Sequence, residues 1–192
     1  MKRFILTMLA VLTLGAAANA MSYKSARDQA FFLTDKMAYE LYLSDDQYNA
    51  VYEINMDYIM CLEMYDDIFG TFWTRRNNEL RYVLTTAQYQ RYISLEYFYR
   101  PVQWENKKFV FTIYNHYPKN RFYNAAPPGY QVYKGSNRYF DHSAYDGRTF
   151  GAPPKPGMGG TMSKPGGKGQ PGMNKKQAVN EGKNRMTQSR RH

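Results

Sequence analysis

Between residues 21 and 100 apolar side chains recur every three or four positions, and the interval holds no proline and a single glycine, Gly70. That period puts side chains on one face of a helix. Ala30, Leu33, Met37 and Leu41 make one stripe. Tyr48, Val51, Tyr52, Ile59, Leu62, Tyr65 and Phe69 make a second, opposite Asp46, Asn49, Glu53, Asp57 and Asp67. A helix patterned this way buries its apolar side and turns its acids to water. The acids Asp45, Asp46, Glu53, Asp57, Glu63, Asp66 and Asp67 are accordingly read as a solvated face with no catalytic logic, since acid–base work needs two carboxylates of separated pKa in a pocket.

Two pentapeptides mark helix starts. In Leu43-Ser44-Asp45-Asp46-Gln47, Ser44 is placed to accept from the third helical N–H while the Gln47 side chain reaches back to the cap N–H. Leu43 and Tyr48 flank the cap as a hydrophobic staple, and Asp45 and Asp46 suit the positive end of the helix dipole. Leu84-Thr85-Thr86-Ala87-Gln88 repeats the device, with Thr85 as cap. The pattern predicts helices over about 26–41, 45–69, 74–84 and 86–100, with Gly70 just past the second and Pro101 stopping the fourth.

The chain then changes character. Residues 101–150 are rich in Tyr, Asn and Arg; 109–114 and 130–133 have strand-like composition, but they make no convincing sheet. The expectation is an irregular extension laid over the helices, its rings filling grooves. Residues 151–192 are Gly-, Pro-, Lys- and Met-rich, with too few apolar residues for a core, and are expected to be disordered. At the other end, Lys2 and Arg3 precede an eleven-residue apolar run (4–14) and Ala18-Asn19-Ala20, the form of a cleaved secretory signal over residues 1–20. The run is too short to span a bilayer. The expected compartment is the bacterial periplasm or the exterior.

Charge sharpens this division. The chain carries 26 Lys and Arg against 16 Asp and Glu, a net +10 that by itself suggests nucleic acid. Residues 21–150 hold fifteen of each sign, however, while residues 151–192 hold nine bases against Glu181 alone. The basic character belongs to the tail, and with export expected, nucleic acid is not the predicted partner. A single cysteine, Cys61, excludes an intrachain disulfide and any CxxC motif; in an oxidising compartment it is left either free or joining two chains.

The paired pentapeptides, the second matching at every fixed position and the first carrying Ser for Thr, resemble the LTxxQ motif of the Spy/CpxP family of small periplasmic helical proteins. The resemblance covers about residues 26–100. It implies an all-α fold, a four-helix LTxxQ-type hairpin or bundle, here with the Tyr-rich extension and tail added. It further implies a non-catalytic envelope-stress protein; better-known members resemble a curved dimer that holds unfolded or partly folded envelope proteins without ATP, and others act as accessory sensors or bind metal. No cofactor is expected for this chain. One difference is electrostatic. The family's concave face is typically basic, whereas residues 28–70 carry ten acids and only Lys36 as a base.

Candidate binding residues follow from surface chemistry. Met56, Met60 and Met64 share a helix face at four-residue spacing, with Cys61 adjacent. Such a face suits a packing seam, adaptable apolar binding, or soft Cu(I) ligation. Arg81, Tyr82, Tyr89 and Tyr92 belong to an Arg/Tyr-rich stretch with Arg75, Arg76, Arg91 and Arg100, the residue types enriched at binding hot spots; the alternative is pairing with the acidic second helix. The predicted client site is therefore Met56, Met60, Met64, Arg81, Tyr82, Tyr89 and Tyr92, with Leu43, Ser44, Gln47, Leu84, Thr85 and Gln88 as capping residues. His116, His142 and His192 lack metal-site spacing, and no nucleophile or phosphate-loop motif is present. Two further readings stay open: an envelope-associated structural protein whose Tyr-rich zone and basic tail contact cell-wall or anionic membrane components, and a Met/Cys copper binder.

Overall fold

The computed structural model describes residues 21–151, of which 57% are helical and 6% lie in strands. The expected signal segment and all of the basic tail beyond Gly151 lie outside the described residues. Helix α1 (Tyr23–Leu41) starts at Ser22, whose Oγ accepts from Ser25 N, and ends at Tyr42 in the left-handed region at φ 54°. Three residues later α2 (Asp45–Met60) folds back along α1, the most extensive helix–helix contact in the molecule. Helix α3 (Thr71–Val83) packs on α2; α4 (Thr86–Ser94) and the single turn α5 (Glu96–Tyr99) close the helical part. Its core includes Leu33, Met37, Val51, Ile59, Leu80 and Phe98, all shielded from solvent.

Both pentapeptides form capping boxes. Ser44 Oγ accepts from Gln47 N while Ser44 N donates to Gln47 Oε1, and Thr85 and Gln88 repeat the exchange. The two glutamines also meet. Gln47 Nε2 donates to Gln88 Oε1 at 2.8 Å and Gln88 Nε2 donates to Gln47 Oε1 at 3.0 Å, while the same nitrogens reach Val83 O and Leu41 O. One buried amide pair thus ties the ends of α1 and α3 to the starts of α2 and α4.

Two predicted helices are shorter than their periodicity suggests. The apolar period of α2 continues to Phe69, but the helix stops at Met60. The Asp67 carboxylate accepts from the N–H groups of Glu63 and Met64, donors that a continuing helix would have needed. Residues Tyr65–Asp67 form a 3-10 turn instead. Gly70 is the N-cap of α3 rather than the end of α2, and a Cβ there would lie 2.8 Å from Asp66 O. The fourth predicted helix breaks at Leu95. Ser94 Oγ donates to Arg91 O, and the chain re-enters a helical turn at Glu96.

The strand expectations are partly redrawn. Strand β2 (Lys108–Phe111) pairs with β1 (Val102–Glu105), in register Val102↔Phe111 to Glu105↔Lys108. Asn106 and Lys107, both at positive φ, form the two-residue turn. Residues 112–115 are a 3-10 turn, and Tyr130-Gln131-Val132 belong to the helical turn α6 (Gly129–Val132), not to a strand.

The extension is laid over the helices, and tyrosine hydroxyls fasten it. Tyr130 donates to Asp28, Tyr114 to Gln29, Tyr117 to Glu40, Tyr133 to Asp57 and Tyr145 to Glu53. Gly129 N donates to Asn49 Oδ1. Asp35, fully buried, accepts from the backbone N–H groups of Tyr123 and Asn124 and from Lys36. The acids expected on a solvated face are divided: Asp45, Asp46, Glu63 and Asp66 are exposed, whereas Asp57 is 9% exposed and Glu53 half-buried because residues 129–145 cover them.

A candidate binding surface

The predicted client residues do not share a surface. Met56 and Tyr92 are fully buried and belong to the core. The Tyr92 hydroxyl accepts from Arg76 and donates to Asn77. Met60 is half-buried, with its sulfur against the Arg138 guanidinium at 3.5 Å. Met64 lies past the end of α2, so the three methionines lose the common face that a continuous helix would have provided. Arg81 and Tyr82 are exposed on α3, and Arg81 lies over the half-buried Tyr89 ring at 4.8 Å.

The arginines divide in the same way. Arg76 is buried and spans Asn55 Oδ1, Tyr92 OH and Phe98 O at 2.7–3.0 Å. Arg75 donates to the carbonyls of Asn137, Arg138 and Phe140, and Arg91 pairs with Glu40 at 2.6 Å. These side chains assemble the fold and are not free for a partner.

A different surface is available. Leu62 and Ile68 are buried and anchor the segment between α2 and α3, which leaves Met64 (58% exposed), Tyr65 (62%) and Phe69 (48%) projecting outward. The Tyr65 ring meets Trp104 on β1, which packs edge-on against Phe109 on β2. Phe69 meets Trp73, which packs against Tyr99, and the Arg100 guanidinium lies over Phe69 at 5.4 Å. Both ring sets draw on three segments, 65–73, 99–104 and Phe109 on β2, and we describe them together as one aromatic arc. Its exposed rim carries both signs: Glu63, Asp66 and Glu105 against Arg100, Lys107 and Lys108. A contiguous exposed apolar surface with a polar rim marks an interaction site.

Sequence periodicity assigns Tyr65 and Phe69 to a buried stripe; composition places Phe109 in a strand-like segment and gives Trp104 no role. Asp66-Asp67 ahead of Gly70 was the available signal that the helix gives way to a turn there.

The titratable groups offer little chemistry. Burial pushes the Asp57 carboxyl up to about 7, against the hydrogen bond from Tyr133 and the charges of Arg138 and Arg75. Its Oδ1 has no partner and lines a cavity of about 10 Å³, room for a single water, with Arg75, Arg76, Glu79 and Arg138. Burial also pushes the Cys61 thiol up to about 11, so the free thiol is protonated at neutral pH. His116 stacks on Tyr97 and His142 on Phe140, while His192 lies outside the described residues. Among the described residues no three His, Cys, Asp or Glu side chains are grouped to hold a metal, and no helix is long and apolar enough to cross a membrane.

No family model matches the chain, and neither a characterised protein nor a solved structure matches it.

Proposed function

We propose that this chain is a non-catalytic binding protein of the bacterial envelope that holds apolar segments of unfolded or partly folded proteins, in the manner of the Spy/CpxP chaperones it resembles. The observation that carries this reading is the aromatic arc in which exposed Tyr65 and Phe69 stand on the half-buried rings of Trp73, Tyr99, Trp104 and Phe109. Burying a client's apolar groups against it supplies a driving force without a reaction. The mixed-sign rim leaves selection to apolar content rather than to net charge. The two capping boxes and the meeting of their glutamines support an LTxxQ-type helical hairpin as the scaffold, and the signal-like residues 1–20 support export.

The test is suppression of aggregation of a chemically unfolded client by the mature protein, and by a Tyr65→Ser, Phe69→Ser, Trp104→Ser variant. Aromatic anchors each contribute roughly 1–2 kcal/mol to an interface, so the triple variant is expected to need at least about tenfold more protein for the same protection. A client that aggregates at the same rate with the unaltered protein present would overturn the proposal.

A further inference from the structure

A second surface lies on the far side of the capping region. The start of α2 and residues 122–128 border an open groove of about 740 Å³, lined by Asp45, Asp46, Tyr48, Phe122, Tyr123 and the Ala125–Pro128 stretch. Its polar groups are mostly spent. Tyr48 OH donates to Ala125 O, Asn49 bonds Gly129 N and Glu53, and Asn124 bonds Asp35. What remains is two exposed carboxylates, Asp45 and Asp46, which pair with no cation among the described residues. The groove thus offers aromatic and proline walls and anionic acceptors, and it fits an extended segment with apolar stems and Lys or Arg ends.

Such a segment begins at its mouth. A Cβ on Gly151 would lie 3.8 Å from Ser44 Oγ and 3.9 Å from Asp46 Oδ2, so the described chain leaves off beside the carboxylates. Residues 152–192 follow, with nine Lys and Arg and one acid; Pro153, Pro154, Lys155, Pro156 and Met158 come first. The backbone of Lys155, four residues on, lies at most about 14 Å from Gly151, which keeps its ammonium within reach of Asp45 and Asp46. Residues 21–150 are neutral, so attraction of the tail to the body is local to its acidic patches and not a general field. Tethering supplies an effective concentration of roughly millimolar, enough for a weak site to be occupied within one molecule.

We infer that this groove is a docking site for the chain's own basic segment 152–192, engaged in cis through its proline-dense, Lys155-bearing start. Anionic membrane or polysaccharide would then have to compete with Asp45 and Asp46 for the same lysines.

The experiment is zero-length carbodiimide cross-linking of the full mature chain, using an equal mixture of light and isotopically heavy protein, read by mass spectrometry. At about 20 mM salt, where screening reaches some 20 Å, the expected products join Lys155, and more weakly Lys164 or Lys168, to Asp45 or Asp46 within one chain. They should fall at least about fivefold at 1 M salt, where the screening length is about 3 Å. They should also vanish in a Lys155→Ser, Lys164→Ser, Lys168→Ser variant, which leaves the described fold untouched. An Asp45→Asn, Asp46→Asn variant should move the remaining lysine links elsewhere. Links spread evenly over Glu63, Asp66, Glu105 and Asp141 would overturn the inference, and so would light–heavy products at the groove, which would make the occupant a second copy.

Discussion

The helical part, residues 23–100, and the Tyr-rich part that follows it bury their polar groups by different means. In the helices a few side chains sit deep inside and bond one another: Arg76 joins Asn55, Tyr92 and Phe98 O, Asn55 joins Thr34, and Gln47 joins Gln88. In the extension most polar contacts are spread along the surface of α1 and α2, one tyrosine hydroxyl to one acid at a time, with buried Asp35 under Tyr123 and Asn124 as the exception. The first arrangement is cooperative, since each group satisfies several partners in low dielectric. The second is distributed, and its tyrosine–acid contacts are half-buried. The helical part should therefore fail as a unit, whereas the extension should loosen piece by piece.

Arg76 and Tyr145 test that contrast most severely. Replacing Arg76 with Ala leaves a void and strands the Asn55 carbonyl, the Tyr92 hydroxyl and the Phe98 carbonyl without a donor. The expected loss is about 3–5 kcal/mol of global stability in urea unfolding. Tyr145→Phe removes one hydroxyl from the half-buried Glu53 and should cost about 1 kcal/mol, with faster amide exchange confined to the extension. Equal losses from the two variants would erase the distinction between the regions.

The same contrast explains what the sequence disclosed. The five-residue capping signals are local, and both helix starts fall where they predict, because a cap needs only its own backbone. Periodicity found α1, α3 and the bulk of α2 for the same reason. It failed where a side chain outbid the helix, as Asp67 does for the N–H groups of Glu63 and Met64. It failed again for the acids of α2. Asp46 and Asp67 remain on the open side, but Glu53 and Asp57 are roofed by Tyr145 and Tyr133, more than seventy residues away. A polar stripe signals that something polar will cover it, and water is only the commonest cover. The aromatic arc was hidden for a related reason: its members come from three separate segments, and only the turn after α2 and the hairpin bring them together.

Asp57 gives a pH test of how the extension is held. Its carboxyl is faced by Tyr133 from the end of α6, by Arg138 from the following turn, by Arg75 and Glu79 from α3, and by the neighbouring Cys61. Burial raises it to about 7, so the folded protein prefers the protonated form. A raised acid contributes stability that is complete below its unfolded value, near 4, and is lost as pH climbs through 7. Asp28 and Glu40 act oppositely. Burial opposes their charge, but hydrogen bonds from Tyr130 and Lys24, and from Tyr117 and Arg91, hold both below the ordinary value, and their contribution is lost only as pH falls. Between pH 5 and 8 the Asp57 effect should dominate, lowering stability by about 2 kcal/mol, and Asp57→Asn should flatten most of that slope. A slope unchanged in the variant would assign the pH dependence to another group.

The smallest expected effect separates the two candidate surfaces. Arg81 is exposed, and its guanidinium donates to Tyr89 OH at 3.1 Å and lies over that ring in open solvent. Interactions of this kind between exposed groups contribute about 0.5 kcal/mol or less. Arg81→Ala and Tyr82→Ser together should shift the urea midpoint only slightly and leave aggregation suppression as it was, because neither side chain belongs to the arc at Tyr65, Phe69 and Trp104. If the pair instead removes more protection than the arc variant does, clients are held on the Arg/Tyr face of α3 and α4. The arc would then be an apolar surface awaiting some other partner.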